Sequence, residues 1–267
     1  MRRLNELMSL DGRVAVVTGG AGHLGLAFSE ALSELGARVV IVDRDPGQCA
    51  ARAEAIAHHS GRECFGVAAE LSSRAETATI VPRVLEKFGR LDILVNNAAF
   101  TGASGISGFA VPFPEQSLDA WEAALRVNLT AAFQLTQSAR EALIASGHGS
   151  IINIGSIYGL VGPDLRLYEG TTMGNPAAYA ASKGGLLQLT RYLSTSLAPD
   201  VRVNSISPGG LARGQPAPFI ERYVAKTPLR RMGQEEDFKG ALAYLASDLS
   251  AWVTGQDVAV EGGWTAW

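Results

Sequence analysis

The chain has 267 residues, 47% of them apolar, and a formal net charge of −3, which suits one large α/β domain with a sizeable core. No run of lysines or arginines appears, and no apolar stretch approaches the ~18 residues a membrane span needs, so neither nucleic acid nor a bilayer is an expected partner. The start, MRRLNELMSLDGR, has no apolar core of signal-peptide length, and Cys49 and Cys64 have neither metal-ligand nor redox-motif spacing, which reads as two reduced thiols in a cytoplasmic protein.

In chain order, RVAVVT (13–18) is a β-rich run that meets glycines, followed by an amphipathic stretch, LGLAFSEALSELGA, with Gly36 as its stop. RVVIVD (38–43) is a second buried strand, then come a helix over 46–60, the strand-like ECFGVAA, a helix over 73–88 and LDILVNN (91–97). A helix over 117–146 precedes SIINIGS (150–156), and one over 176–197 precedes VRVNSIS (201–207). Helices near 215–226 and 235–247 and a strand around 256–261 close the chain. Strands that are nearly all apolar, alternating with helices, predict a doubly wound Rossmann-type fold: a parallel sheet of about seven strands covered on both faces. No linker or composition break appears, so residues 1–267 are expected to be one domain.

Ligands of such sheets bind beyond the carboxyl ends of the strands, and the unusual residues cluster there. The 30 glycines exceed the usual ~7% share and sit in tight motifs rather than linkers. TGGAGHLG (18–25) joins strand to helix, where glycines admit a pyrophosphate to the backbone and the helix start supplies free N–H groups. Asp43 ends the next strand, 18 residues after Gly25, where a carboxylate would bond ribose hydroxyls and repel a 2′-phosphate. That favours NAD over NADP, although the adjacent Arg44 could tolerate a phosphate.

Taking a proton from an alcohol needs a base, and free tyrosine, with a pKa near ~10, is a poor one unless a cation lowers that value. The stretch 156–184 holds Tyr158, Tyr168 and Tyr179 but a single lysine, Lys183. Residues four apart share a helix face, and only Tyr179 has a charged residue at that spacing; Tyr168 has Thr172 there and Tyr158 has Gly162. Tyr179 is therefore the acid–base candidate and Lys183 the group that tunes it. Ser156, after an apolar strand, is placed to hydrogen-bond a substrate oxygen.

The motif set resembles the short-chain dehydrogenase/reductase family, of the single-domain, so-called classical type. The matching segments are TG…G at 18–25, NNAA at 96–99, Asn128 in RVNL, Ser156, YAASK at 179–183, SPGG at 207–210 and VTGQDVAVEGG at 253–263, in the family's order. The resemblance implies a Tyr179–Lys183–Ser156–Asn128 site, with Asn128 holding a water in a proton relay and Lys183 also bonding the nicotinamide ribose. It implies cofactor contacts from Gly19, Gly22, His23, Leu24, Gly25, Asp43, Arg44, Glu70, Leu71, Asn97, Ala98, Ala99, Tyr179, Lys183, Pro208 and Gly209. It also implies a homotetramer paired through the helices near 117–146 and 176–197.

Two positions depart from the pattern. His23 stands where the usual glycine spacing has glycine; read as TGxxGxxG, the turn instead fits Gly19, Gly22 and Gly25, the spacing of a longer, sugar-nucleotide-modifying branch. AEL at 69–71 stands where the family has an aspartate for adenine, which Glu70 could replace. The interval from Ser156 to Tyr179, 23 residues, is longer than the family norm, the extra chain being roughly 163–175. That insert is expected to loop out at the mouth of the site, as a pocket wall for a polar substrate with Arg166 as an anion grip, or as a solvated or subunit-contact loop. The insert, PGG and the ending EGGWTAW also resemble a bacterial branch tied to surface-carbohydrate and flagellin-sugar pathways.

The expected function is NAD(H)-dependent hydride transfer to or from a small polar secondary alcohol or ketone, such as a sugar derivative, with no metal. Two alternatives remain open: a sugar-nucleotide epimerase or dehydratase that keeps its NAD, and a non-catalytic NAD-binding module.

Overall fold

In the computed structural model, which describes residues 1–100, 102 and 105–267, seven parallel strands form one sheet in the order β3-β2-β1-β4-β5-β6-β7. They are β1 (Val14–Thr18), β2 (Arg38–Asp43), β3 (Cys64–Ala68), β4 (Ile93–Asn96), β5 (Gly149–Ile154), β6 (Val201–Pro208) and β7 (Asp257–Val260). The α-helices among the described residues are α1 (Leu4–Met8), α2 (His23–Glu34), α3 (Pro46–Ser60), α4 (Arg74–Phe88), α5 (Leu118–Leu125), α6 (Ala131–Ser146), α7 (Ile157–Leu160), α8 (Ala177–Ser196), α9 (Ala217–Lys226) and α10 (Lys239–Ala246). The strand order reverses between β1 and β4, so a crevice opens beyond Thr18 and Asn96, the place where ligands of such sheets bind.

Side-chain alternation divides the apolar strands between two cores. Val17, Ile41, Val95 and Ile152 face Phe28 and Leu32 of α2 and Leu242 and Leu245 of α10. Val16, Val40, Leu94 and Ile151 face Val84 of α4, Leu135 and Leu143 of α6 and Leu193 of α8. All are essentially fully buried except Leu193, which retains 6% exposure. Both faces of every central strand are thus apolar because both are covered, which is why the strands read as unbroken apolar runs.

Several helix ends follow from local chemistry. The Asp45 carboxylate accepts from Gln48 N at 3.0 Å and Ser73 Oγ from Glu76 N at 3.3 Å, and Gly61 and Gly89 close α3 and α4 in the left-handed conformation, φ 69° and 71°.

Three segments differ from the sequence expectation. The helix expected over 117–146 is interrupted by a π-helical turn at Arg126–Thr130, whose extra residue turns Asn128 into the interior. The helix expected over 235–247 begins as a 3₁₀ turn, Glu235–Phe238, and α10 follows. The insert contains a 3₁₀ turn, Leu165–Tyr168, that buries Leu167 and packs Tyr168 against α9.

Candidate active site

The β1–α2 turn is shaped by steric exclusion. Gly19 has φ +63°, and a Cβ there would come within 2.9 Å of Ala98 Cα; a Cβ on Gly25 would overlap the Gly19 carbonyl oxygen. A Cβ on Gly22 would meet only that oxygen, at an ordinary 3.4 Å. A Cβ on Gly20 would lie 2.8 Å from the Val17 carbonyl oxygen, so Gly19, Gly20 and Gly25 are the required glycines. His23, the first residue of α2, is exposed, and the backbone at that position accommodates a side chain. Gly22 provides no side-chain cap, and the first bond into the helix is Leu26 N to Gly22 O at 2.7 Å. The N–H groups of His23, Leu24 and Gly25 lack intrahelical acceptors by helix geometry, the arrangement by which helix starts hold anions.

Asn97 fixes this turn by donating from Nδ2 to Thr18 O at 2.9 Å and Gly19 O at 3.2 Å, while its backbone N–H donates to Thr18 Oγ1. Asn96 instead donates to Asn153 Oδ1 at 2.8 Å, a side-chain bond between β4 and β5. Asp43, at the tip of β2, accepts from Ala21 N at 3.2 Å and from Arg44 N at 2.8 Å. Glu70 Oε1 accepts from Ser72 N at 3.0 Å and so shapes the loop after β3.

Ser156, Tyr179 and Lys183 meet at the other end. Gly155 and Gly159 make this possible: a Cβ on Gly159 would lie 2.9 Å from the backbone carbon of Lys183, and one on Gly155 would lie 2.7 Å from Ser207 Oγ. Their absent side chains let α8 lie close against β5 and α7, which sets Tyr179, in the first turn of α8, beside Ser156. The Lys183 ammonium, 2% exposed as a residue, donates to Ile154 O at 2.7 Å and lies 5.7 Å from the Tyr179 ring centre. Burial lowers its pKa to about 8. Burial also pushes the Tyr179 phenol up, an effect opposed by the Ser156 hydroxyl beside it. Desolvation therefore favours the neutral forms of both groups, and an added positive charge nearby would draw the phenol back down.

One cleft of about 650 Å³ joins the two ends. It is lined by Gly19, Gly22, His23, Leu24, Gly25, Asp43, Arg44, Glu70, Leu71, Asn97, Ala98, Ala99, Pro208 and Gly209 together with Ser156, Tyr179 and Lys183. Its length, its uncapped helix start and its glycine cradle fit a dinucleotide. Sequence reasoning missed Phe100, Ile106, Val127, Leu211 and Arg213 on its walls. No helix is long and apolar enough to cross a membrane, and no cluster of three or more His, Cys, Asp or Glu is placed to hold a metal, among the described residues.

Two expected site residues lie elsewhere. Asn128 is buried behind the cleft: its Oδ1 accepts from Phe100 N at 2.7 Å, and its Nδ2 donates to Ser182 Oγ at 2.9 Å, which in turn donates to Tyr179 O at 2.8 Å. Its amide thus braces the loop after β4 and the first turn of α8. Arg166, expected as a substrate grip, has a side chain 82% exposed and forks onto Asp164 at 2.8 and 2.9 Å, outside the cleft. The physical reason is local: two residues apart on a tight 3₁₀ turn, the pair satisfies itself.

The insert is likewise bound to α9 rather than forming a wall of the cleft. Arg222 donates to the carbonyls of Arg166, Leu167 and Glu169, Lys226 pairs with Asp164 at 3.2 Å, and the Tyr158 and Tyr168 hydroxyls lie 2.8 Å apart. Tyr168 packs on Phe219, Phe219 on Tyr223, and Tyr223 on Trp264, with ring centres 5.3–6.1 Å apart.

Residues 19–265 match the family described as enoyl-(acyl carrier protein) reductase. The chain is 34% identical over 262 residues to cis-4-hydroxycyclohexanecarboxylate dehydrogenase of Sinomonas cyclohexanicum, covering 95% of this chain and 97% of that one. Among solved structures it resembles a gluconate 5-dehydrogenase from Burkholderia cenocepacia J2315 in complex with NADP and tartrate, with a TM-score of 0.88, 30% identity and 99% and 100% of the two chains covered. An NAD⁺-bound xylitol dehydrogenase matches with a TM-score of 0.82, 27% identity and 95% and 99% coverage. The chain belongs to the short-chain dehydrogenase/reductase family, whose members bind a nicotinamide cofactor.

Proposed function

We propose that this protein is an NAD(H)-dependent oxidoreductase that interconverts a secondary alcohol and its ketone, with Tyr179 as the acid–base. The observation that carries this reading is the meeting of Ser156, Tyr179 and Lys183 at one end of a cleft whose other end holds Asp43 and the uncapped start of α2. Gly19, Gly25 and the first N–H groups of α2 would hold the cofactor's diphosphate, and Asp43 its adenosine ribose. A bound nicotinamide supplies the hydride acceptor or donor.

In the oxidising direction, Ser156 Oγ hydrogen-bonds the substrate oxygen and holds it against the Tyr179 phenolic oxygen. Tyr179 takes the hydroxyl proton as the C–H bond breaks and the carbonyl forms; in reduction it returns that proton to the developing alkoxide. Lys183 favours the phenolate by its charge and donates to Ile154 O, and its remaining donors would bond the cofactor's ribose. Asn128 holds Tyr179 in place through Ser182.

The choice of NAD over NADP rests on Asp43; the related structures include one bound to each cofactor, and the exposed Arg44 beside Asp43 is the feature that would admit a 2′-phosphate. The substrate is read as a small alcohol or ketone, as for the hydroxy-acid relative. The walls beside Tyr179 are apolar, with Phe100, Ile106 and Val127, and this favours a carbon-rich body over a sugar. The link to surface-carbohydrate pathways has no support among these relatives. A homotetramer paired through α5–α6 and α8 is also proposed, since Trp121, Phe133 and Tyr192 are exposed there.

The decisive experiment is NADH absorbance with a panel of secondary alcohols and ketones, wild type against Tyr179→Phe. Stoichiometric NADH formation that the variant abolishes supports the reading. Turnover without net NADH change would instead indicate an epimerase or dehydratase, and NAD binding without turnover on any alcohol a binding module.

A further inference from the structure

The cleft carries a charged residue with no part in the chemistry described above. Arg213 lines it from the β6–α9 loop, close to Gly209 and Leu211. Its backbone N–H donates to Gln215 Oε1 at 2.7 Å, and Gln215 Nε2 donates back to Leu211 O, so the loop around it is braced. Its guanidinium, by contrast, has one charged neighbour among the described residues, Glu235 Oε1 at 3.1 Å, with both side chains about one-third exposed at 31% and 32%.

No described residue accepts a hydrogen bond from the Arg213 side chain in good geometry, whereas Arg222 donates to three backbone carbonyls and Arg231 forks onto Asp237. Arg213 thus lines the cleft with no well-aligned side-chain hydrogen bond and with Glu235 as its one charged neighbour among the described residues. A guanidinium in that state is matched in charge and shape to a group with two anionic oxygens.

We propose that Arg213 binds an anionic oxygen group, a phosphate or carboxylate, that a ligand carries into the cleft, with Glu235 holding the guanidinium until it arrives. The proposal rests on the dehydrogenase reading for its ligands, which bring such a group from two sources: the diphosphate of the cofactor and an acid group on the substrate. In the second case the enzyme selects alcohols with an apolar body, packed against Phe100, Ile106 and Val127, and one acidic substituent.

The test is calorimetry, which needs no turnover and so stands apart from the activity assay. NADH is titrated into wild type, Arg213→Gln, Arg213→Lys and Glu235→Gln, and cyclohexanecarboxylate and cyclohexanol are then titrated into each NADH-saturated protein. Arg213→Gln should weaken one of the two anionic ligands roughly tenfold or more, the effect of losing a charged hydrogen bond, and leave cyclohexanol unchanged. Arg213→Lys should retain part of the affinity, and Glu235→Gln should raise it by freeing the guanidinium. A loss for NADH assigns the group to the cofactor, and a loss for cyclohexanecarboxylate assigns it to the substrate. Arg213→Gln that melts like wild type and binds both anionic ligands as wild type does would overturn the proposal.

Discussion

Lys183 Nζ lies 5.7 Å from the centre of the Tyr179 ring, and its one protein acceptor among the described residues is the Ile154 carbonyl at the end of β5. The lysine is buried without a carboxylate, so its charge is available to the phenol and to whatever occupies the cleft.

The first prediction concerns proton transfer. Tyr179→Phe removes only the phenolic oxygen. We expect kcat to fall on the order of 10²-fold or more, with NADH affinity by calorimetry within a few-fold of wild type. Near-normal turnover would assign the proton to another group.

Lys183 should trade stability for function. Its folded pKa, about 8, lies below its ordinary 10.5, so between those values the unfolded chain binds more protons and stability rises with pH. Below about 8 the protein carries the full cost of a buried charge. Lys183→Met should therefore stabilise the ligand-free protein at pH 7 by something on the order of 1–3 kcal/mol, seen as a higher melting temperature, and flatten the rise between pH 8 and 10.5. It should also reduce both kcat and NADH affinity. A variant less stable than wild type at pH 7 would mean that the bond to Ile154 outweighs the burial.

Cofactor choice is tested at Asp43. Wild type should bind NADH more tightly than NADPH, and Asp43→Ala should narrow or reverse the difference. If wild type prefers NADPH, Arg44 governs the pocket instead.

Close approach of α8 is tested at Gly159. A Cβ there would press on the Lys183 backbone, so Gly159→Ala should shift α8 and lower kcat while the protein stays folded by circular dichroism. Unchanged kinetics would show that α8 accommodates the methyl group in place.

The insert is expected to act through α9. Arg222→Ala removes donors to three insert carbonyls, and it should raise KM or lower kcat through a loosened α9 while NADH binding stays intact. Arg166→Ala, on the exposed surface, should leave KM within about twofold, since surface pairs such as Arg166–Asp164 contribute little. A large KM effect from Arg166→Ala alone would return that residue to the substrate site.

Much of this arrangement was legible in the residues themselves. All seven strands fall within about two residues of their expected places, because strands covered on both faces are continuous apolar runs and the turns between them are glycine-rich. Tyr179 was singled out from three tyrosines by the i, i+4 spacing to Lys183, a relation within one helix that needs no tertiary information. The glycine turn and Asp43 were readable for the same reason, since a strand end and the start of the next helix are local features.

What the sequence alone could not decide involves contacts between distant segments. Asn128 was visible as a residue, but its engagement with Phe100 and Ser182 depends on a π-helical turn set by how α5 and α6 pack against α8. The insert was visible as extra length, yet its partner α9 lies some fifty residues further on, and only the folded chain shows Arg222 on its carbonyls and Arg166 turned to solvent. Arg213 has no periodicity or motif to mark it; it becomes a cleft residue because β6 pairs with β5, so the loops after both strands open at the same carboxyl end of the sheet. Local spacing determines which side chains share a helix face or strand end, whereas the order in which strands pair determines which loops meet over them.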